Sequence, residues 1–159
     1  HAADRALRAM LHVGDRAKGA ATSMDVGLVY VDLGASRLLF AGAKIDLLIG
    51  TAAGTSRANG GRRALAERVV GDYHNSVVDL DPAATYLLVS DGVLDQNGEC
   101  DALGFGRARL MTLLQTHAGN PLAEFGAALE AQLAAYQGQM PQRDDICVLT
   151  FRVEAPTVS

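Results

Sequence analysis

The spacing of apolar and polar residues along the chain predicts a series of short strands separated by turns. Alternating or continuous apolar runs that are bounded by Gly, Pro, Asn or Asp are typical of strands. The predicted strands, in chain order, cover 25–33, 37–43, 44–49, 77–80, 85–90 and 146–153. The first two are expected to form a hairpin, and the third is expected to complete an antiparallel meander.

A second pattern, with apolar residues three and four positions apart, predicts helices. It covers 2–13, where the helix is expected to pack against the sheet, and 104–116. Another helix carries an apolar face from Leu122 to Tyr136 and is expected to stop at Gly138. Strands followed by two helices and a closing strand indicate an α+β fold with an antiparallel sheet.

The segment 50–63 is rich in glycine and is predicted to be a loop. It lacks the Lys-Ser/Thr pair that completes a phosphate-binding P-loop, so nucleotide binding is disfavoured. Arg57, Arg62 and Arg63 can contact a phosphate on a substrate, or they can belong to a solvated loop. Residues 64–73 are ambiguous between helix and strand.

Composition limits the class of protein. The 159 residues fit one domain that can bury a core without disulfides or metals as staples. The net charge of -4 and the pI near 5.5 argue against nucleic acid or an anionic membrane as partner. The two cysteines, Cys100 and Cys147, lie far apart and suggest neither a zinc site nor a disulfide, which favours a reducing cytosol.

The chain shows no targeting or membrane segment. No apolar run reaches the roughly 18 residues of a membrane span, and the first residues do not resemble a signal peptide. The chain begins with His1 rather than Met, which fits either a piece of a longer protein or a trimmed mature one.

Two carboxylates at predicted strand ends are the candidate chemistry. Asp91 follows the strand 85–90, and Asp144 precedes the strand 146–153. If these strands are neighbours, both acids face one point, and the hard cations Mg²⁺ and Mn²⁺ prefer such oxygen ligands. Zinc is disfavoured because no His or Cys accompanies the pair. The alternative is two solvated acidic turns.

The other candidate groups are weaker. His12, His74 and His117 are scattered and are interpreted as surface or capping residues. Ser90 does not lie in a Gly-x-Ser-x-Gly elbow, which disfavours a serine hydrolase. Gly104-Phe105-Gly106 lacks the third glycine of a dinucleotide fingerprint and is interpreted as the turn that begins a helix.

An ordered set of motifs resembles the metal-dependent protein phosphatase (PPM) family. It consists of the segment 87–95 with its Ser-Asp-Gly, then Gly104-Phe105-Gly106 before a helix, and then 142–146 at the final strand. The hairpin segment 39–43 resembles the bacterial branch typified by the stage II sporulation protein E phosphatase. The similarity runs from about residue 21 to residue 153.

This resemblance implies a sandwich of two antiparallel sheets flanked by helices, with two Mg²⁺ or Mn²⁺ ions in a complete domain. Asp91 and Asp144 match metal ligands of the family. Gly92, Asp95 and Asp145 are candidates for an additional metal or for support of the ligands. The implied reaction is hydrolysis of phosphoserine or phosphothreonine by metal-activated water.

One departure from the family pattern shapes the prediction for this chain. Family members carry an acidic motif near the start of the domain and an Asp-x-x-Gly-His-Gly-like segment whose Asp bridges the two metals, and neither is present. Residues 1–159 are therefore expected to form the C-terminal part of a single phosphatase domain and to be inactive or nearly so alone. Sheet edges exposed by missing strands favour homodimerisation.

Three functional hypotheses follow. The leading one is a cytoplasmic phosphatase that acts on a phosphorylated regulatory protein such as an anti-sigma-factor antagonist, in a parent that an upstream sensor region can anchor to a membrane. Arg62 and Arg63 are its candidate contacts to the substrate phosphate. The second is a non-catalytic binding module with a phosphatase-like fold. The third is an unrelated α+β domain without a tight Mn²⁺ site.

Overall fold

A computed structural model describes residues 2–10, 23–99 and 103–154. Its helices are α1 (Ala2–Met10), α2 (Asp91–Leu94), α3 (Gly106–Thr116) and α4 (Leu122–Gln137). Its strands are β1 (Val26–Asp32), β2 (Arg37–Ala43), β3 (Leu47–Thr51), β4 (Gly54–Ala58), β5 (Ser76–Asp79), β6 (Thr85–Val89) and β7 (Val148–Phe151). The predictions that concern residues 11–13, His12 and Cys100 lie outside the described residues.

The described residues form two compact units. The first combines those up to Leu47 with Ala58–Asp79, and the second combines Leu48–Arg57 with those from Leu80 onward. In the first unit, β1, β2 and β5 form an antiparallel sheet in that order. Leu38 and Phe40 of β2 are buried, as expected for alternate residues on one face of a half-buried strand.

A polar contact joins α1 to the segment that follows β4. The buried carboxylate of Asp4 accepts hydrogen bonds from Arg8 Nε and from the backbone N–H of Ala66, both at 2.8 Å. Arg8 also donates to the carbonyl of Glu67. Ala66 has a φ of +60°, a backbone conformation that non-glycine residues adopt rarely.

The second unit contains a four-stranded sheet and the helices α2, α3 and α4. The strand order is β4-β3-β6-β7, and the β3–β6 and β6–β7 pairs are antiparallel. All five residues of β6 are buried. Because both faces of the strand are covered, its apolar residues follow one another instead of alternating with polar ones. One buried apolar cluster joins the sheet and helices: Leu48, Leu87, Val89, Val93, Phe105, Leu110, Leu113, Leu114, Phe125, Leu129 and Leu133.

Local signals set the bounds of the longer helices. Gly106, at φ +80°, begins α3, and buried Phe105 precedes it, as predicted for the turn that begins this helix. Helix α4 starts after Pro121 and ends at Gly138, whose φ of +54° favours glycine. Arg152 fixes the α3–α4 connection because it donates to the Thr85 hydroxyl and to loop carbonyls that include that of Asn120.

The predicted meander is wrong. Residues 44–49 do not add a third strand to the first sheet; β3 begins at Leu47 and pairs with β6 in the second sheet. Leu47 and Leu48 are both buried, and consecutive residues of a strand point to opposite faces. Both faces of β3 must therefore be buried, whereas a half-exposed meander buries only one.

The prediction of a loop over 50–63 is also wrong in part. Thr51 ends β3, and β4 runs from Gly54 to Ala58. Because β4 lies at the edge of its sheet, it tolerates the glycine and polar residues that suggested a loop. Residues 64–73 are neither helix nor strand. The final strand is shorter than predicted, since β7 covers only Val148–Phe151.

The fold class is confirmed as α+β with antiparallel sheets and helices. Within the described ranges, no helix combines the length and apolar character that crossing a membrane requires. The assignment of residues 1–159 to one domain stays a prediction.

Candidate functional site

Asp91 and Asp144 lie at one end of two neighbouring strands. β6 and β7 pair antiparallel, with Val89 opposite Val148, so the end of β6 and the start of β7 meet at the same edge of the sheet. Asp91 is the first residue of α2, two positions after β6 ends, and Asp144 lies in the segment 141–147 before β7. The condition that the sequence left open, that the two strands be neighbours, is met.

Gly92 allows α2 to approach the backbone of the acidic segment closely. A Cβ atom at this buried position would lie 2.9 Å from the carbonyl carbon of Asp145 and 3.1 Å from the carbonyl oxygen of Asp144. Any larger residue would therefore push the segment away from the N-terminus of α2. Packing at Gly92 thus brings the backbone that carries Asp144 directly against the residue next to Asp91.

Ser90 ties the same segment to the end of β6. Its hydroxyl donates to the carbonyl of Asp145 at 2.8 Å and accepts the backbone N–H of Cys147 at 2.9 Å. Its own backbone N–H donates to the carbonyl of Cys147. Sequence reasoning assigned no positioning role to Ser90, although a hydroxyl residue directly after an apolar strand is a visible signal.

Gln96 makes the corresponding contact on the other side of α2. Its side chain is fully buried; Nε2 donates to the carbonyls of Pro141 (3.1 Å) and Asn97 (3.2 Å). Oε1 accepts the backbone N–H of Arg143 at 3.3 Å. No sequence signal distinguished this glutamine from a residue of a solvated turn.

The carboxylates themselves are open to solvent. Asp91, Asp95, Asp144 and Asp145 are all exposed, and Oδ1 of Asp144 accepts the backbone N–H of Asp145 at 2.7 Å. Such oxygen donors suit a hydrated Mg²⁺ or Mn²⁺, which binds through one or two carboxylates and keeps several waters. Gly92 and Asp145 contribute backbone packing here, and Asp95 caps the C-terminus of α2.

The donor set is too small for a pair of metal ions. In the part of the chain that the structure describes, no three His, Cys, Asp or Glu side chains come together as a metal-binding group. Asp91 and Asp144 stay candidate ligands for one hydrated hard cation, which needs only one or two protein carboxylates. A binuclear centre needs further carboxylates.

The remaining candidates lie elsewhere. Arg62 and Arg63 belong to the first compact unit, where Arg63 pairs with Glu67 at 3.4 Å, so their contact with a substrate phosphate stays a prediction. His74 contacts the exposed Asp72, and His117 contacts the carbonyl of Leu113 at the end of α3. The surface and capping roles predicted for these two histidines are confirmed.

The sequence profile of stage II sporulation protein E (SpoIIE) matches residues 2–154, almost the whole chain. The chain belongs to the stage II sporulation protein E family. The predicted resemblance is therefore confirmed, including its assignment to the bacterial branch, and with it the PP2C-type phosphatase nature of the family.

Solved structures agree with this SpoIIE-family assignment. The SiaA-PP2C domain of Pseudomonas aeruginosa is 44% identical, with a TM-score of 0.84 over 95% of this chain and 58% of that chain. The Mn-presoaked phosphatase domain of SpoIIE from Bacillus subtilis is 12% identical (TM-score 0.65, covering 85% and 59%). The RsbU and RsbW domains of a Mycobacterium tuberculosis protein are 15% identical (TM-score 0.63, covering 97% and 46%).

The last two likenesses show the fold alone. The chain spans 58% of the length of the P. aeruginosa chain that it matches, and a similar or smaller share of the other two. No curated protein sequence matches this SpoIIE-family chain.

Proposed function

We propose that the protein to which this chain belongs hydrolyses phosphoserine or phosphothreonine on a regulatory protein in a reaction that depends on Mn²⁺ or Mg²⁺. The observation that carries the proposal is the placement of Asp91 and Asp144 at one edge of the β6–β7 pair, with Gly92 packed against the backbone carbonyl groups of Asp144 and Asp145. Family membership supplies the class of reaction.

In this proposal, Asp91 and Asp144 hold a cation, and Asp95 and Asp145 are candidates for an additional metal or for support of the ligands. A bound divalent cation lowers the pKa of a water ligand and neutralises charge that develops on the phosphoryl oxygens. The chain's own contribution is to place two carboxylates next to the neighbouring ends of β6 and β7, with Gly92 packed against the backbone that carries Asp144. Arg62 and Arg63 are proposed to contact the substrate phosphate.

The proposed substrate and partner is a phosphorylated regulatory protein, such as an anti-sigma-factor antagonist. Membership of the stage II sporulation protein E family supports this choice. The acidic net charge of -4 disfavours nucleic acid as a partner. Homodimerisation and a cytoplasmic location stay predictions.

The experiment is a phosphatase assay on the full-length protein with a phosphoserine protein substrate and added Mn²⁺. Asp91→Asn and Asp144→Asn should each lower turnover by about a hundredfold or more, since a lost metal ligand removes several kcal/mol of transition-state stabilisation. Asp81→Asn is the matched control, because Asp81 is exposed in the same unit and an asparagine can keep its turn contact to the N–H of Ala83. Turnover that needs no divalent cation, or that survives both substitutions, would exclude this mechanism.

We further propose that residues 1–159 alone are inactive or nearly so. Two carboxylates suit a single loose ion, and among the described residues no third His, Cys, Asp or Glu side chain joins them in a metal-binding group. Turnover by this chain at the rate of the full-length protein would contradict the proposal.

The small donor set also favours a second candidate, a phosphatase-like module that binds a phosphoprotein without hydrolysing it. Its signature would be specific binding of the phosphorylated partner by the full-length protein, with no release of phosphate at any Mn²⁺ concentration.

A further inference from the structure

The segment 141–147, which carries Asp144 and Asp145, is not held in place by apolar burial. All seven of its residues are exposed, and it has no helix or strand structure before β7 begins. An exposed irregular segment samples many conformations unless hydrogen bonds fix it. Its position beside Asp91 must therefore come from polar contacts and from the close packing at Gly92.

Three side chains outside the segment provide these contacts. Asn97 Oδ1 accepts a hydrogen bond from the Arg143 side chain at 3.2 Å, whereas Ser90 and Gln96 bind the backbone of the segment and bracket α2. Ser90 precedes Asp91 and binds the segment at Asp145 and Cys147, through one donated and one accepted hydrogen bond. Gln96 follows Asp95 and binds it at Pro141 and Arg143. The segment is thus fixed on both sides of Asp144.

The orientation of the Gln96 amide follows from its partners. Two carbonyl oxygens, those of Asn97 and Pro141, face one atom of the amide, and a backbone N–H, that of Arg143, faces the other. Exchanging the oxygen and nitrogen would oppose acceptor to acceptor and donor to donor. Because Gln96 is fully buried, loss of its partners would leave polar atoms without water, which makes the contact a costly one to open.

We propose that Ser90 and Gln96 are positioning residues that hold Asp144 opposite Asp91, so that the two carboxylates are arranged for a divalent cation before it binds. This inference rests on the proposed function of the two carboxylates as metal ligands. Ordering a flexible segment lowers the net affinity of any ligand that requires it ordered. A segment that is already fixed binds the cation without that loss. Mutating the groups that position metal ligands typically lowers metal affinity by about 10- to 100-fold.

The test uses two shape-matched variants of the full-length protein. Ser90→Thr keeps the hydroxyl, and Ser90→Val has nearly the same shape without it. The Mn²⁺ concentration that gives half-maximal hydrolysis of p-nitrophenyl phosphate is the readout, with Mn²⁺ affinity by calorimetry and urea unfolding alongside. Thr112→Ala is the control, because Thr112 is an exposed hydroxyl of α3 that donates only to its own helix, at Ala108.

We expect Ser90→Val to raise the half-maximal Mn²⁺ concentration about tenfold, which corresponds to the net free energy of about one hydrogen bond. Saturating Mn²⁺ should restore most of the rate. Ser90→Thr should stay within about twofold of wild type, and Thr112→Ala should not change it. Gln96→Leu should also raise the half-maximal Mn²⁺ concentration. The double variant with Ser90→Val should raise it by less than the product of the two single fold-changes, since both residues act on one segment.

The outcomes separate this inference from the proposed function. If Asp91→Asn and Asp144→Asn leave Mn²⁺ binding unchanged, the proposed metal site is wrong. If those two substitutions abolish binding while Ser90→Val matches Ser90→Thr in Mn²⁺ dependence, the site stands and the positioning role is wrong. A Ser90→Val protein that is less stable but has an unchanged Mn²⁺ affinity also overturns it, because the serine is then only structural.

Discussion

The Asp4 contact allows a sharp test of what holds α1 to the first unit. Asp4 is only 2% exposed, and its two oxygens accept hydrogen bonds from Arg8 Nε and from the N–H of Ala66. In Asp4→Asn, the amide oxygen can still accept the Ala66 N–H, but the NH₂ group must face the Arg8 guanidinium. The substitution therefore removes one charge-assisted hydrogen bond and leaves a cation without its counter-charge.

The expected loss can be worked out from these contacts. A hydrogen bond to a charged group is worth about 1.5–3 kcal/mol. The Arg8 side chain is only 18% exposed, so water replaces the lost carboxylate poorly. We expect Asp4→Asn to lower the free energy of unfolding by about 2–3 kcal/mol at pH 7. With a urea m-value of about 1–3 kcal/mol/M, the midpoint should fall by roughly 0.7–3 M.

The loss should also depend on pH. The hydrogen bond from Arg8 holds the pKa of Asp4 below its ordinary value of 3.8, against the opposing effect of burial. A carboxyl whose pKa is lower in the folded state stabilises the protein above its unfolded pKa, and this contribution disappears as the pH falls through the folded pKa. The gap between wild type and Asp4→Asn should be complete at pH 5 to 7 and should narrow below about pH 4.

Urea unfolding at several pH values measures this gap, and hydrogen exchange at the Ala66 amide detects release of α1 without global unfolding. Asp32→Asn is the control, because Asp32 pairs with Arg37 at 3.4 Å in a more exposed setting, where an ion pair is worth about 0–1 kcal/mol. An Asp4→Asn protein as stable as wild type with unchanged Ala66 exchange would show that the Asp4–Arg8 contact does not hold α1. A stability gap that stays constant down to pH 3 would show that the charge of Asp4 does not contribute.

Two further predictions concern the second unit. Gly92→Ala should destabilise by about 1–3 kcal/mol, because its Cβ would meet the backbone of Asp145, whereas Gly126→Ala, on α4 with open space around it, should stabilise by about 0.5–1 kcal/mol. Equal effects in urea unfolding would contradict the close packing. Arg152→Met should cost about 1–3 kcal/mol by losing its hydrogen bonds to the Thr85 hydroxyl and to the α3–α4 connection, with Arg152→Lys recovering only part. An unchanged urea midpoint for Arg152→Met would mean that hydrogen bonds to water replace these contacts at no cost in stability.

The sequence predicted much of the second unit because its signals are local. The continuous apolar run at β6 predicted a buried strand, and Pro121 and Gly138 predicted the limits of α4. The motif around Asp91 and the acidic residues before β7 predicted the family, which the match over residues 2–154 confirms. Each of these signals depends on a residue and its near neighbours in the chain.

The sequence failed where the structure depends on the choice of partner. The apolar residues of 44–49 indicated a strand but could not say which sheet it joins. The glycine and polar residues of β4 resemble a loop until an edge position in a sheet is assigned.

The candidate site shows the same division. The sequence placed Asp91 just after one apolar strand and Asp144 shortly before another, because an apolar run stops before the first and starts after the second. Only the tertiary structure decided that these strands are neighbours and that Ser90 and Gln96 bind a segment 57 and 47 residues away. Hydrogen bonds of this kind join groups that become close only after the chain has folded, so no periodicity or local propensity encodes them.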